Sequence, residues 1–253
     1  MPGAGRNARG YLESWLETSE TYNVVVLTPE YTKGDYPFDR YHLGGVMRDI
    51  NFKDVVTHTP GTPLAQLDEE GLEFTMHPVP GDWIFSDFDR LFDYASQALE
   101  LEQETYDMFG HSAGGQILHR LAVFYPQSRV NNIIAANSGF YTLPDAEVGL
   151  PFGIREMGFG PEHLEQSFGK KLVLFNGSLD DENETKGTLL RSPTVDKQGV
   201  SRVDRGSYFM EQSERLARQA GFDFNWSRVT VPDVGHDQEL MAKAAADYLY
   251  TNK

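Results

Sequence analysis

Short runs of β-branched residues alternate with amphipathic helical patterns along the 253-residue chain, and this alternation restricts the possible fold more than any other feature. The runs are mostly apolar, as in strands that are covered on both faces. They predict strands at Tyr22–Thr28, Tyr106–Phe109, Val130–Ala136, Lys171–Phe175 and Phe224–Val231. Alternation over the whole length predicts an α/β fold with a mainly parallel sheet flanked by helices.

The intervening helices are predicted from apolar residues that recur at spacings of three and four. One such stripe runs from Ile84 to Leu99, and a second runs from Ile117 to Tyr125. Two further helices are predicted over Tyr208–Ala220 and Gln238–Tyr250. No internal repeat or low-complexity stretch interrupts this order, so residues 1–253 are predicted to form one domain.

Two stretches do not fit the alternation and are predicted to be insertions. Residues 51–81 are rich in Pro, Gly and Thr, and residues 139–168 contain three prolines and five glycines. Loops of this length commonly form lids or binding loops, and they also occur as simple family insertions.

The charge balance and the cysteine count exclude several classes of protein. With 22 Lys and Arg against 38 Asp and Glu, the formal net charge of −16 would repel nucleic acid or an anionic membrane. The absence of Cys excludes disulfides, thiolate metal sites and a cysteine nucleophile.

No apolar run approaches the roughly 18 residues that span a bilayer, and the N-terminus lacks an apolar signal-peptide core. A soluble protein, cytoplasmic or secreted, is expected, and its oligomeric state is left open.

The sharpest local signal is a G-x-S-x-G sequence, Gly110-His-Ser-Ala-Gly114, between a predicted strand and a predicted helix. In this motif the serine occupies a strained turn, and the flanking glycines leave room for the backbone to fold back. Because both the pattern and its context are present, Ser112 is predicted to be a catalytic nucleophile. The alternative is a glycine-rich turn whose serine has no role.

A nucleophilic serine needs a base and an acid, and each has a preferred candidate. His236 follows the last predicted strand, so it would lie at the same carboxyl edge of the sheet as Ser112. Asp180 follows an earlier strand and could hold His236 in the required tautomer. Asp181 and Glu182 are close competitors, and the acidic cluster could instead be a solvated loop or a weak calcium site.

Two other histidines are weaker candidates for the base. The side chain of His111 is expected to point away from that of its neighbour Ser112, although His111 is kept as a candidate pocket residue. His119 lies within a predicted helix and is expected to be structural.

The first residues of the chain admit two interpretations. Gly3-Ala-Gly-Arg-Asn-Ala8 fits a dinucleotide-binding pattern with Glu30 as its acid, but such a fingerprint must follow a strand. The favoured interpretation is an oxyanion loop. In it, the backbone N–H of Ala113 and that of Ala4 or Gly5 would stabilise charge that develops on a carbonyl oxygen.

Together these motifs resemble those of the α/β-hydrolase superfamily, and within it those of esterases related to polyhydroxybutyrate depolymerases and feruloyl esterases. The resemblance covers nearly the whole chain. Its motifs are the loop Gly3–Ala8, the elbow at Ser112, and the sequences Asn137-Ser-Gly-Phe-Tyr141, Gly177-Ser-Leu-Asp180 and Val234-Gly-His236. The resemblance implies a Ser-His-Asp triad without metal or organic cofactor. It also implies that residues 139–168 form a lid or acyl pocket, so Phe140, Tyr141 and Phe152 are expected to shape the substrate site; the alternative is that these rings bury the loop against the core. Because strands normally precede the oxyanion loop in this superfamily, the sheet is expected to lack its N-terminal strands.

These observations predict a serine hydrolase that cleaves carboxylic esters, small or polymeric, through an acyl-enzyme. A peptidase or thioesterase with the same triad is one alternative, and a hydrolase made inactive by the absent strands is another. A nicotinamide-dependent oxidoreductase is the least favoured class. The acidity of the chain mildly disfavours strongly anionic substrates, although the charge of a pocket can differ from the net charge.

Overall fold

The computed structural model describes residues 1–251, which form nine α-helices and nine β-strands. The helices are α1 (Ala8–Glu13), α2 (Leu16–Tyr22), α3 (Phe38–His42), α4 (Phe52–Val55), α5 (Ile84–Leu99), α6 (Ala113–Phe124), α7 (Pro161–Gly169), α8 (Arg202–Ala220) and α9 (Gln238–Tyr250). The strands are β1 (Met47–Arg48), β2 (Val56–His58), β3 (Leu64–Leu67), β4 (Thr75–Met76), β5 (Tyr106–His111), β6 (Val130–Ala136), β7 (Lys171–Gly177), β8 (Leu189–Arg191) and β9 (Ser227–Val231). None of these helices is both long and apolar enough to cross a membrane.

Strands β5, β6, β7 and β9 form a parallel sheet in that order. Ile133 belongs to an apolar cluster with Leu118 of α6 and Phe209 of α8. Ile134, the next residue of β6, belongs to a second cluster with Met241 of α9. Because successive side chains of a strand point to opposite faces, these clusters show that helices cover both faces of the sheet. The sheet therefore has the buried, mainly parallel form that the sequence predicted.

Most of the predicted elements of this α/β core are present, with small differences at their ends. Helices α5 and α9 have the predicted bounds, and the predicted strand Phe224–Val231 is shortened to Ser227–Val231. Helix α8 begins at Arg202, six residues before its predicted start at Tyr208. The earlier start is fixed by Ser201, whose side chain accepts a hydrogen bond from the N–H of Asp204 and so caps the first turn.

The strand predicted at Tyr22–Thr28 is wrong. Tyr22 ends α2, and Asn23 follows it in a left-handed conformation with φ 51°. The next residues pair with no other strand in the described part of the chain, and Val25 and Leu27 are 53% and 55% exposed. A run of β-branched residues favours extended backbone, but a strand also needs a neighbouring backbone to pair with.

Met1 lies beside the outer edge of β5. Its amino group donates a hydrogen bond to the carbonyl oxygen of Phe109, and its carbonyl oxygen accepts one of 3.3 Å from the N–H of His111. This is the bonding pattern of a parallel pair. No assigned strand precedes α1 within residues 1–251.

The two predicted insertions contain regular structure. In residues 51–81, β2 and β3 form an antiparallel hairpin, and β3 also pairs in parallel with β8. Strand β4 pairs with β1 in a separate two-stranded sheet. Residues 139–168 contain most of α7. The sequence did not reveal the strands because runs of two to four residues are too short to show a periodicity.

Candidate active site

Ser112 occupies a sharp turn between β5 and α6. Its backbone has φ 59° and ψ −115°, a conformation that costs a residue with a side chain about 1–3 kcal/mol. The Ser112 N–H donates to the carbonyl oxygen of Ala136 at 2.9 Å, and its own carbonyl oxygen accepts from the N–H of Gln116 at 3.0 Å. These bonds to β6 and α6 hold the strained turn in place.

Gly110 and Gly114 lie where the backbone folds back around this turn. A Cβ atom on Gly110 would lie 2.5 Å from the carbonyl oxygen of Gly114, and one on Gly114 would lie 2.1 Å from that of Met1. Cβ atoms essentially never approach non-bonded atoms elsewhere in the chain within 3.0 Å. Packing around Ser112 therefore requires glycine at both positions of the G-x-S-x-G sequence.

The structure brings Ser112, His236 and Asp180 together in a chain of hydrogen bonds. Nε2 of His236 lies 3.0 Å from Oγ of Ser112, and Nδ1 lies 2.7 Å from Oδ2 of Asp180. With Nδ1 protonated, His236 donates to the carboxylate, and Nε2 is free to accept the serine proton. The three residues follow β5, β9 and β7 at the carboxyl edge of the sheet.

The other two candidate acids, Asp181 and Glu182, make no hydrogen bond to His236 in residues 1–251. Asp180 is fully buried against the imidazole, whereas Oδ1 of Asp181 accepts a hydrogen bond from the N–H of Asn183 at 2.8 Å. Glu182 is exposed and makes no hydrogen bond to His236 in residues 1–251. Burial thus distinguishes three acidic positions that could not be separated by sequence alone.

Arg202 binds the carboxylate oxygen of Asp180 that does not face His236, and the sequence analysis did not identify this arginine. Its Nη1 donates to Oδ1 of Asp180 at 2.8 Å, and its Nη2 donates to the carbonyl oxygen of Thr188 at 3.1 Å. Only 3% of Arg202 is exposed. No local motif marks this residue, because it precedes the stripe from which α8 was predicted and lies 22 residues from its partner.

Glu184 holds the backbone of the histidine loop and was also missed. Its Oε2 accepts a hydrogen bond of 2.6 Å from the N–H of His236, and its Oε1 accepts from those of Thr185 and Lys186. Burial raises the pKa of Glu184, but these backbone hydrogen bonds outweigh it and leave the pKa below its ordinary value. In residues 1–251, no group of three or more His, Asp or Glu is placed to hold a metal ion.

His111 lies at the site and lines the same cavity as Ser112, in agreement with its place among the candidate pocket residues, although its side chain was expected to point away from that of Ser112. The centre of its ring lies 4.6 Å from that of His236, and its Nδ1 lies 3.3 Å from the hydroxyl of Tyr11. Burial, followed by the charges of His236 and Arg202, holds the pKa of His111 well below its usual value. The expectation was wrong because strand alternation ends at the Ser112 turn, so it does not govern the relation between these neighbours.

His119 has the structural role that was expected. Its Nδ1 lies 3.2 Å from the carbonyl oxygen of Gly115, and its Nε2 accepts a hydrogen bond of 3.0 Å from the N–H of Thr142. The fully buried imidazole thereby connects α6 to the segment that follows β6.

Three backbone N–H groups considered for the oxyanion hole lie close to the serine. Ala113 is the first residue of α6, so its N–H has no acceptor within the helix. Ala4 and Gly5 lie in a turn closed by a bond of 3.0 Å from the Arg6 N–H to the Gly3 carbonyl oxygen. None of these three N–H groups has a partner in the described part of the chain.

The turn from Gly3 to Arg6 directly adjoins the serine turn. A Cβ atom on Gly3 would lie 3.4 Å from that of Ser112, and Ala4, Gly5 and Ser112 line the same cavity. This proximity favours the oxyanion interpretation of the first residues over the dinucleotide-binding one.

The serine turn opens into a cavity of about 960 Å³. Phe140 lines it, as predicted, but Tyr141 and Phe152 do not. Tyr141 is fully buried, and Phe152 is 3% exposed and packs edge-on against Phe140. The predicted pocket roles of Tyr141 and Phe152 are therefore wrong, because these rings belong to the apolar core.

Much of the remaining wall comes from residues that the sequence did not single out. They lie between Lys33 and Leu72, in and around α3, α4, β2 and β3, with a further contribution from Gly187, Thr188 and Leu190. A Cβ atom on Gly187 would lie 2.7 Å from Nε2 of His236, so this glycine allows the chain to pass close to the imidazole. The first predicted insertion thus lines the cavity.

Two solved structures resemble almost the whole chain. Poly(aspartic acid) hydrolase-1 from Sphingomonas sp. KT-1 matches with a TM-score of 0.83 and 30% sequence identity, over 98% of this chain and 85% of its own. The poly(3-hydroxybutyrate) depolymerase LpqC from Bordetella parapertussis matches with a TM-score of 0.81 and 24% identity, over 100% and 79% respectively. No protein-family model and no curated protein matches the sequence.

The parallel sheet, the serine turn at its carboxyl edge and these similarities define the class of protein. The chain belongs to the α/β-hydrolase superfamily and is a hydrolase of the α/β type. Within that superfamily it is similar over nearly its full length to a poly(aspartic acid) hydrolase.

Proposed function

We propose that this chain is a serine hydrolase that cleaves carboxylic ester bonds. The observation that carries the proposal is the hydrogen-bonded chain from Ser112 through His236 to Asp180, which starts at a strained turn and faces a cavity. A serine without a role would not require both a strained backbone and an aligned base with a buried acid behind it.

In the proposed reaction, Oγ of Ser112 attacks the ester carbonyl carbon while Nε2 of His236 takes its proton. Asp180 stabilises the resulting imidazolium, and the backbone N–H groups of Ala113 and of Ala4 or Gly5 stabilise the oxyanion. Each such donor contributes about 2.7–4 kcal/mol in comparable sites. The alcohol then leaves with the histidine proton, and water activated by His236 releases the acid from the acyl-enzyme.

Amide cleavage is a second candidate, supported by the comparison with poly(aspartic acid) hydrolase-1 at 30% identity. A polymer of an amino acid is joined by amide bonds, and the same arrangement of serine, histidine and aspartate can cleave esters and amides. Turnover of an ester and an anilide with the same acyl group separates the two candidates, and a thioester of that acid tests thioesterase activity.

Labelling with a fluorophosphonate, followed by peptide mass spectrometry, tests the proposed nucleophile. We expect the adduct on Ser112 and its loss in Ser112→Ala. Ser227→Ala is the matched control, since Ser227 is an exposed serine at the opposite end of the sheet, and it should label normally. A folded protein that is not labelled at Ser112 and turns over no ester would contradict the proposal.

A further inference from the structure

The cavity beside Ser112 is lined by cations and by no carboxylate. Arg6, Lys33 and Lys53 contribute to its wall, and none of its lining residues in the described chain is Asp or Glu. In the whole protein, by contrast, 38 acidic residues outnumber 22 basic ones. The cavity therefore has the opposite charge to the protein that contains it.

Arg6 has no acidic partner in residues 1–251. Its guanidinium carbon lies 3.4 Å from the centre of the Tyr41 ring, and its Nη1 donates to the carbonyl oxygen of Tyr31 at 3.1 Å. Its Nε is buried and has no partner among the described residues. Burial lowers the pKa of Arg6, because the cation is partly removed from water without a compensating anion.

Arg120 places a second unpaired cation behind the same wall. It is 1% exposed, and its Nη1 donates to the carbonyl oxygens of His42 and Gln116, two residues that line the cavity. Its Nη2 has no partner in the described part of the chain. Burial lowers the pKa of Arg120 to about 9, so the side chain remains charged at neutral pH.

The charges of Arg6 and Arg120 both act on His42, which lines the cavity. Burial, followed by the charges of Arg6 and Arg120, lowers the pKa of His42 to about 3; a hydrogen bond to Gln116 opposes this shift, and Lys33 adds a smaller lowering effect. This region combines positive charge with two donors that are unpaired in residues 1–251, Nε of Arg6 and Nη2 of Arg120, and a bound anion would compensate that charge.

Apolar side chains form much of the rest of the wall, among them Leu43, Met47, Phe52, Val56, Leu67 and Phe140. We propose that the cavity binds an amphiphilic ester that carries a carboxylate on its acyl or alcohol part, directed toward Arg6 and Lys33. This inference rests on the proposed ester hydrolysis at Ser112. A cleft lined by charges of one sign raises the local concentration of oppositely charged molecules. The net negative charge of the protein therefore does not prevent an anionic ester from binding.

Two matched pairs of substrates test the inference. The mono-p-nitrophenyl ester of adipic acid and p-nitrophenyl hexanoate have the same acyl length and differ in the terminal carboxylate. Phenyl butyrate and its para-carboxylate derivative place the charge on the alcohol part. After normalising to alkaline hydrolysis, we expect kcat/KM to favour the anionic member of at least one pair by about tenfold. Added NaCl should reduce this preference, because salt screens the attraction.

Variants assign the preference to particular residues. Arg6→Gln and Lys33→Gln should each lower the ratio of kcat/KM for the anionic ester to that for the neutral ester by roughly threefold or more. Arg9→Gln is the matched control, since Arg9 is exposed and pairs with Glu13 at 2.9 Å, and it should leave the ratio unchanged. Thermal melts of each variant establish that it is folded.

The possible outcomes separate this inference from the proposed function. If neutral esters are hydrolysed but neither pair shows a salt-sensitive preference for the anion, the charged-substrate inference is overturned and the hydrolase proposal stands. If no ester is hydrolysed, the hydrolase proposal fails, and calorimetry with monomethyl adipate still tests the cavity. Binding that weakens with salt and in Arg6→Gln supports the anion site, and the absence of binding overturns it.

Discussion

Arg202 and Asp180 form an ion pair of 2.8 Å in which 3% of the arginine side chain and none of the aspartate is exposed. The second carboxylate oxygen of Asp180 lies 2.7 Å from Nδ1 of His236. The arginine at the start of α8 is thus connected, through one carboxylate, to the proposed catalytic base. Loss of one member of such a pair leaves the other charge buried and uncompensated.

Arg202→Met should reduce the free energy of unfolding by about 3 kcal/mol, the usual size of this effect for a buried pair. It should also reduce kcat, since Asp180 would keep only part of its hydrogen bonding and would orient His236 less firmly. Urea unfolding and ester kinetics measure the two effects. The control is Arg218→Met on the same helix, where Arg218 is 76% exposed and pairs with Glu214. We expect its effect to be below about 1 kcal/mol. Equal stability of the two variants would contradict the role given to Arg202.

Asp180→Asn should reduce kcat by about 10⁴, as the equivalent change does in serine proteases, because the amide cannot hold the histidine in the required tautomer. Asp181→Asn should leave kcat unchanged, since Asp181 bonds to the N–H of Asn183 and not to the imidazole. Ester kinetics of both variants decide between the two acids that the sequence left open. A large loss in Asp181→Asn with a small loss in Asp180→Asn would reverse the assignment.

The sequence predicted those parts of the fold and site that depend on local patterns. The apolar runs of β6 and β7 are visible because both faces of the sheet are covered, and the glycines around Ser112 are required by close backbone contacts. Asp180 and His236 could be proposed because the loops after parallel strands meet at one edge of the sheet. In each case, the prediction depends on a short segment of sequence whose physical effect can be recognised without knowing which other segments it contacts.

The features that the sequence did not reveal depend on contacts between distant segments. Arg202 acquires its role from a carboxylate 22 residues away, and Arg120 from the carbonyl oxygen of His42, 78 residues away. The run at Tyr22–Thr28 has the composition of a strand but no backbone to pair with in the described residues. Net charge gave no information about the cavity, because its cations come from separate segments that only the fold brings together.

Gly110→Ala should destabilise the protein by about 3 kcal/mol, the upper part of the range for overpacking, since its Cβ would lie 2.5 Å from the Gly114 carbonyl oxygen. Backbone atoms cannot move aside as a flexible side chain can, so the Ser112 turn should be distorted and fluorophosphonate labelling should slow. Urea unfolding and labelling rates measure these effects. Gly169→Ala is the control, because no described atom other than those of its chain neighbours and its own helix backbone lies within 4 Å of the Cβ it would add. If the two variants are equally stable, packing does not require glycine at position 110.

Burial of His42 predicts that stability falls on acidification. Its pKa is lowered to about 3 in the folded protein, from 6.5 when exposed, with burial as the largest cause. Between these values the unfolded chain binds a proton that the folded chain does not, so stability from this group is complete above pH 6.5 and is lost as pH falls toward 3.

From about pH 7 to about pH 5, this difference in proton binding amounts to about 2 kcal/mol. We therefore expect His42→Gln to lose about 2 kcal/mol less stability than the wild type over that interval, whatever its stability at neutral pH. Urea unfolding at both pH values measures the difference. The buried histidines His111 and His119 also make the folded protein less stable on acidification, since their pKa values are lowered too. They do so equally in wild type and variant, so their contributions cancel in the difference. Parallel losses in wild type and variant would show that His42 takes up its proton without unfolding, and hence that its side chain is not held in a dry, cation-rich wall.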